Sequence, residues 1–244
     1  MPFVYGRRFK NSVMQSTEKE IPYNNQVLLI DKPLTWTSFD VVNKIRYAGK
    51  FQKVGHAGTL DPLATGLLIL CTGKKTKEID IYQGQKKEYT GKIILGKTTP
   101  SFDLETEVDK EFPIEHINSD MLETARKSFV GFIQQIPPAF SAIKVNGKRA
   151  YTVARAGVEI ELKSREIEIS EFEINANNFP EIDFRVVCSK GTYIRSLARD
   201  FGLTLASGGY LSSLRRTKIG DFSVENAYSV DNFVKILKAE NENL

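Results

Sequence analysis

The chain has 244 residues, 41% of them apolar and 26% charged, a balance that excludes intrinsic disorder, collagen and coiled coil and supplies a core needing no staple to fold. Its two cysteines lack CxxC spacing, and two histidines, His56 and His116, are too few for a zinc cluster, so no metal or cofactor site is expected. Thirty-four Lys and Arg against thirty Asp and Glu leave a net charge of +4, which does not by itself argue for a polyanionic partner.

Residues 1–24 are polar and without clear periodicity, which predicts an N-terminal arm ahead of a first strand over 26–31. After Pro33, Ser38 is placed to cap a helix whose apolar stripe is Phe39, Val41, Val42 and Ile45, with Lys44 and Arg46 off the stripe and Gly49 at its end. Residues 54–65, rich in Gly, Pro and Thr, read as a loop, and 67–71 as a short buried strand. That apolar run is far below the ~20 residues of a membrane span, and the N-terminus lacks a signal-peptide core, so a cytoplasmic protein without membrane contact is expected.

Residues 88–95 form the next expected strand. Asp120 and Glu123 have capping-box spacing before a helix running to about Gly131, with Leu122, Ala125 and Phe129 inward. Asn146-Gly147 predicts a hairpin between 142–145 and 148–151. Residues 165–174 alternate, but their phase slips between Ile169 and Phe172, which predicts a bulge. Residues 192–201 read as a helix with Leu197, Ala198 and Phe201 inward and Gly202 as its stop. Strands and helices mix without a βαβ rhythm. The expectation is an α+β fold, one domain over 25–222 around a mostly antiparallel mixed sheet, followed by a short helical tail over 223–244.

Charge is unevenly spread. Eight acids and one base lie between residues 103 and 123, whereas seven bases and only Asp200 lie between 185 and 218. Lys44, Arg46, Lys50 and Lys53 form a second basic block, and such segregation suits a face laid on a polyanion, although single charge runs are commonly just solvated. Phosphate contacts would then come from these four with Lys190, Arg199, Arg215 and Arg216.

Residues 55–66, GHAGTLDPLATG, are the most unusual stretch. Three glycines permit tight turns or close approach to a ligand, and Pro62 stiffens the chain after Asp61. A carboxylate in a stiff loop suits nucleophilic or acid–base work, but an aspartate here also suits a simple turn. The glycines follow neither phosphate-binding loop pattern.

The block GHAGTLDPLATGLL resembles the catalytic motif of the TruB family, the tRNA pseudouridine-55 synthases. Similar segments follow in order: Lys87-Glu88-Tyr89 leading to Leu95-Gly96, the stretch QIPPAFSA over 135–142, SKGTYIR over 189–195, and Leu214-Arg215-Arg216-Thr217, so the resemblance spans about 24–222. It implies a pseudouridine-synthase catalytic domain acting on the T-arm of tRNA. By it, Asp61 is the catalytic aspartate, Tyr89 the active-site tyrosine and Arg195 the arginine that keeps the aspartate ionised. Without it, Tyr89 and Leu214 would read as core residues and Arg195 as a helix-surface cation.

The implied reaction breaks the uridine N1–C1′ bond, turns the uracil and rejoins it through C5, with no redox cofactor or nucleotide called for. Asp61 has three routes open: attack on C1′, attack on C6, or help in removing a sugar proton. Tyr89 suits stacking on the base, with a late proton role as the second option. His56 matches the family histidine at the site vacated by the flipped base, and Tyr193 and Leu214 match the pocket wall. Lys87, Lys190, Arg215 and Arg216 complete the expected substrate-binding set. The family's C-terminal extension, such as a PUA domain, has no room in the 28 residues after Arg216. No obligatory protein partner is implied. Two rivals remain: a family member acting on another RNA, and an RNA-folding chaperone for which binding rather than catalysis matters.

Overall fold

Ten strands form a main sheet and four more form two small two-stranded sheets in the computed structural model, which describes residues 21–141, 143–145, 148–155, 158 and 162–242. The strands are β1 (Val27–Lys32), β2 (Val54–His56), β3 (Ala64–Thr72), β4 (Lys87–Leu95), β5 (Lys97–Thr98), β6 (Lys110–Glu111), β7 (Gly131–Gln135), β8 (Lys144–Val145), β9 (Lys148–Arg149), β10 (Arg165–Asn178), β11 (Glu181–Cys188), β12 (Gly209–Ile219), β13 (Phe222–Ser223) and β14 (Tyr228–Ser229). The helices are α1 (Ser38–Ala48), α2 (Ile79–Gly84), α3 (Ser119–Ser128), α4 (Ala150–Arg155), α5 (Ile194–Thr204) and α6 (Val230–Glu242). Strand order in the main sheet is β14-β1-β3-β12-β4-β11-β10-β7, with β2 on β3 and β13 on β12. Only β1–β14 and β3–β12 are parallel, which is the mostly antiparallel mixed sheet expected.

The long strands follow their patterns. In β11, Ile182, Phe184, Val186 and Cys188 are buried on one face. In β10 the register slips between Ile169 and Glu171, so Phe172 rejoins the core face, as the broken alternation predicts. The β8–β9 pairing forms the expected hairpin, whose turn residues Asn146 and Gly147 lie outside the described ones, as do residues 1–20 of the expected arm.

Four local expectations are corrected. Helix α1 is capped by Thr37, which forms a reciprocal capping box with Asp40 and frees Ser38 for another use; Phe39 is 66% exposed, so the buried stripe is Val41, Val42 and Ile45. Helix α3 is capped by Asn118, while Glu123 pairs with Arg126. Gly202 does not end α5. It lies inside the helix, where a Cβ would sit 2.4 Å from the backbone of Gly208, so it serves close packing on the strand entry. The expected loop over 54–65 is split by β2, which pairs with the end of β3, and β3 begins three residues earlier than its apolar run because its start pairs with β12, a partner far away in sequence.

One core, beneath β4, β10, β11 and β12, gathers Phe129, Phe172, Phe184 and Phe201 with the inner faces of α3 and α5. A second lies between β1, β3, α1 and α6. Ile21 and Tyr23 of the expected arm pack on it, and so do Phe233 and Leu237 of the C-terminal helix. The loop between β2 and β3 is anchored in the first core by Leu60.

Candidate active site

Nearly every residue of the loop 57–62 has its backbone tied down. Ala57 N–H donates to Ile69 O (2.9 Å) and Ala64 N–H to Asp61 O (3.0 Å). The Ser38 hydroxyl, freed from capping, accepts from Leu60 N–H (2.9 Å) and donates to Leu60 O (3.2 Å). Arg216, 1% exposed, donates to Gly58 O (3.1 Å), Thr59 O (3.5 Å) and Leu67 O (2.8 Å). Lys32 is fully buried and its ammonium donates to Pro33 O (2.9 Å), Trp36 O (2.6 Å) and Pro62 O (3.3 Å). Burial, opposed by the charge of Asp61 and aided by that of Arg216, brings the Lys32 pKa down to about 8.

That scaffold presents Asp61, 40% exposed, to Arg195, which is 4% exposed. Arg195 Nε donates to Asp61 Oδ2 at 2.9 Å, Nη1 to Ser101 O at 3.2 Å and Nη2 to Phe140 O at 2.9 Å. Three separate segments thus fix one guanidinium, so its direction toward Asp61 is built in. A second carboxylate, Asp103, lies 3.6 Å from Arg195 Nε. Burial raises the Asp103 pKa, and the Ser101 hydroxyl and the Arg195 charge offset part of that.

Asp61 opens onto a cavity of about 820 Å³ whose wall includes Tyr89, Lys87, Lys190, Tyr193, Arg195, Leu214 and Arg216. Burial raises the Tyr89 pKa, so its hydroxyl stays protonated at neutral pH. The Lys87 ammonium is held by Gln83 O and by Gln85 O (2.6 Å), and burial brings its pKa down to about 8. Tyr193 is clamped through its backbone by Gln135, which accepts from Tyr193 N–H (2.8 Å) and donates to Tyr193 O (3.0 Å).

Two residues of the expected set lie off this wall. Arg215 and Arg216 are neighbours on β12 and point to opposite faces. Arg215 makes a bidentate pair with Asp31 (2.6 and 3.0 Å) on the far side. His56 sits in β2 behind the loop, where burial lowers its pKa and keeps its ring neutral.

The two basic blocks also separate. Arg185 is paired with Glu88, Glu171 and Glu173, Arg199 with Asp200, and Lys218 with Glu88, so little of the 185–218 block is free to meet phosphate. Lys44, Arg46, Lys50 and Lys53 are exposed and, among the described residues, in no ion pair. Among the described residues there is also no cluster of three or more His, Cys, Asp or Glu suited to a metal ion.

Sequence reasoning passed over Lys32, the loop-anchoring role of Ser38, Asp103, Gln135 and Arg165. A signal existed for Lys32, because alternation in β1 puts it on the buried face with Leu28 and Ile30. Asp103 stood in the stretch TPSFD over 99–103, which matches a Thr/Asp-rich family segment only loosely and left its contacts open.

A family model described as TruB family pseudouridylate synthase (N terminal domain) matches residues 46–194, which include Asp61 and Tyr89 and end just before Arg195. The chain belongs to the TruB family. It is 59% identical over 220 residues to a tRNA pseudouridine synthase B of Flavobacterium johnsoniae, covering 87% of this chain and 96% of that one. A namesake from Phocaeicola vulgatus is 56% identical over 214 residues, covering 85% and 91%. Among solved structures, the chain is similar to one in a Cbf5-Nop10-Gar1 complex, with a TM-score of 0.71 and 27% identity over 91% of this chain and 57% of that one. It is also similar to a chain in an H/ACA RNP bound to a substrate RNA containing 2'-deoxyuridine, with a TM-score of 0.67 and 26% identity over 89% and 55%. The TruB membership and this fold likeness agree with the pseudouridine-synthase catalytic domain that the motifs implied.

Proposed function

We propose that this TruB-family chain isomerises the T-loop uridine at position 55 of tRNA to pseudouridine, in the cytoplasm, with Asp61 as the carboxylate that acts on the nucleotide. The observation that carries the reading is the Arg195–Asp61 pair of 2.9 Å at the mouth of a cavity large enough for a nucleotide. In the net reaction the N1–C1′ bond breaks, a C5–C1′ bond forms, and a proton leaves C5 while N1 gains one, so the atoms balance without a co-reactant. A stacked uridine hides these atoms, and eversion into the cavity exposes them.

Within this reading Tyr89, neutral and buried, stacks on the uracil, with Leu214 and Tyr193 on the remaining walls. Arg195 fixes the direction of Asp61 through their 2.9 Å charge-assisted hydrogen bond. The T-arm backbone meets the unpaired cations of α1 and the turn after it, Lys44, Arg46, Lys50 and Lys53, together with Lys190. Helix α1 begins at the Ser38–Leu60 bonds, so the helix that carries Lys44 and Arg46 is tied to the loop that carries Asp61.

The test is Asp61→Asn, which keeps size and hydrogen bonding to Arg195 but removes the charge. Carbodiimide mapping of tRNA should show complete loss of pseudouridine at position 55, with RNA affinity within a few-fold of wild type. Product formed by Asp61→Asn at the wild-type rate would refute the assignment. RNA-folding activity without any product from the wild-type protein would favour the chaperone reading.

A further inference from the structure

Among the described residues, five side-chain polar atoms are buried without a hydrogen-bond partner: His56 Nδ1, Gln85 Oε1, Ser141 Oγ, Arg165 Nε and Arg165 Nη2. Three of the five belong to Ser141 and Arg165, and both residues line the catalytic cavity. Buried donors of an ionised group are ordinarily satisfied, so their concentration on one wall points to a ligand that completes them.

The geometry of Arg165 narrows the ligand. Its Nε–H and Nη2–H run parallel along one edge of the guanidinium, the edge that meets two oxygens of a single anion. The guanidinium carbon lies 4.6 Å from the centroid of the Tyr193 ring, so the fork packs over a side chain whose backbone Gln135 already clamps. Gly191, at φ +86°, lets the chain pass beside it; a Cβ there would stand 3.7 Å from Nη1. Lys190, exposed and in no ion pair among the described residues, adds a second positive charge to this wall. Asp80 and Glu166, the acids nearby on the wall, are both exposed to solvent.

We propose that Arg165, with Lys190 and the Ser141 hydroxyl, is a phosphate clamp that holds one of the two phosphodiesters joined to the everted nucleotide. A uracil carbonyl is neutral and offers one oxygen, whereas a phosphodiester is anionic, offers two, and enters the cavity with the base. The inference rests on the reading of this cavity as the RNA site.

The experiment uses T-arm stem-loop RNAs carrying a single neutral methylphosphonate at each linkage around the target uridine, bound to the full-length wild type and to Arg165→Gln. Neutralising one linkage next to the target should weaken wild-type binding about tenfold, the scale of a charge-assisted hydrogen bond. Arg165→Gln should bind unmodified RNA that much more weakly and lose nothing further from the same methylphosphonate. Its log–log salt dependence should be shallower by about 0.7–0.9, one phosphate contact. Additive losses, or a wild type indifferent to both adjacent linkages, would overturn the clamp. The wild-type series needs no variant and decides the question even if Arg165→Gln fails to fold. Conversion of unmodified RNA by the wild type is the control, since its absence would count against the isomerase reading instead.

Discussion

Ser38→Ala removes one oxygen atom from the buried contact between α1 and the catalytic loop. The hydroxyl makes two hydrogen bonds to Leu60, both inside the protein, with Ser38 2% and Leu60 3% exposed. Its loss leaves Leu60 N–H and C=O buried without their partner, a cost of about 1.5–3 kcal/mol. For a chain of this size that lowers Tm by roughly 3–12 °C. Asp61 is the next residue, and a loop relaxed by about 1 Å at the reacting group costs on the order of 100-fold in rate. The assay pairs thermal unfolding with single-turnover pseudouridine formation and RNA affinity. Stability and rate should fall together while affinity holds, because the bonds position the carboxylate and touch no RNA in the proposed complex. An unchanged Tm, or an affinity falling in step with the rate, would refute the reasoning.

Lys32→Met should change the pH dependence of stability. A lysine whose pKa drops to about 8 in the fold binds fewer protons there than in the unfolded chain, so it makes wild-type stability rise between about pH 8 and 10.5. Urea titrations should show that part of the rise vanish in Lys32→Met; an identical pH profile would count against the burial argument. Joint replacement of Lys44 and Lys50 by Gln should flatten the log–log salt dependence of tRNA binding by about 1.4–1.8, two phosphate contacts, and leave the single-turnover rate at saturation unchanged. An unaltered slope would remove α1 from the RNA face. Tyr89→Phe should bind RNA nearly as well as wild type, since stacking needs the ring alone, and the wild-type pH–rate profile should show no phenol ionisation below pH 10. A tenfold weaker Kd would give the hydroxyl a binding role.

Much of the fold was legible because period-two alternation reports which face of a strand is buried. The bulge between Ile169 and Phe172 was read this way, while the inward residues of α3 came from their three- and four-residue spacing and the strand over β4 from its β-branched residues. The errors share one cause. Thr37 and Ser38 are equally good caps by composition, and what separates them is Leu60, 22 residues away, which claims the Ser38 hydroxyl. Gly202 looks like a helix stop, and only the approach of Gly208 shows why the position needs glycine.

The active site divides in the same way. The loop and the candidate residues Asp61, Tyr89 and Arg195 could be named from the sequence through the family motifs that carry them; spacing and composition alone read Tyr89 as core and Arg195 as a surface cation. Which cations stay outside ion pairs, and which vanish into them, was decided only by tertiary structure: Arg215 and Arg216 are adjacent in sequence, yet one faces Asp31 and the other supports the loop. Local pattern determines the direction of a side chain within its own strand. The partner waiting there is brought by another strand, and its charge or carbonyl decides whether the group binds substrate or holds the protein together.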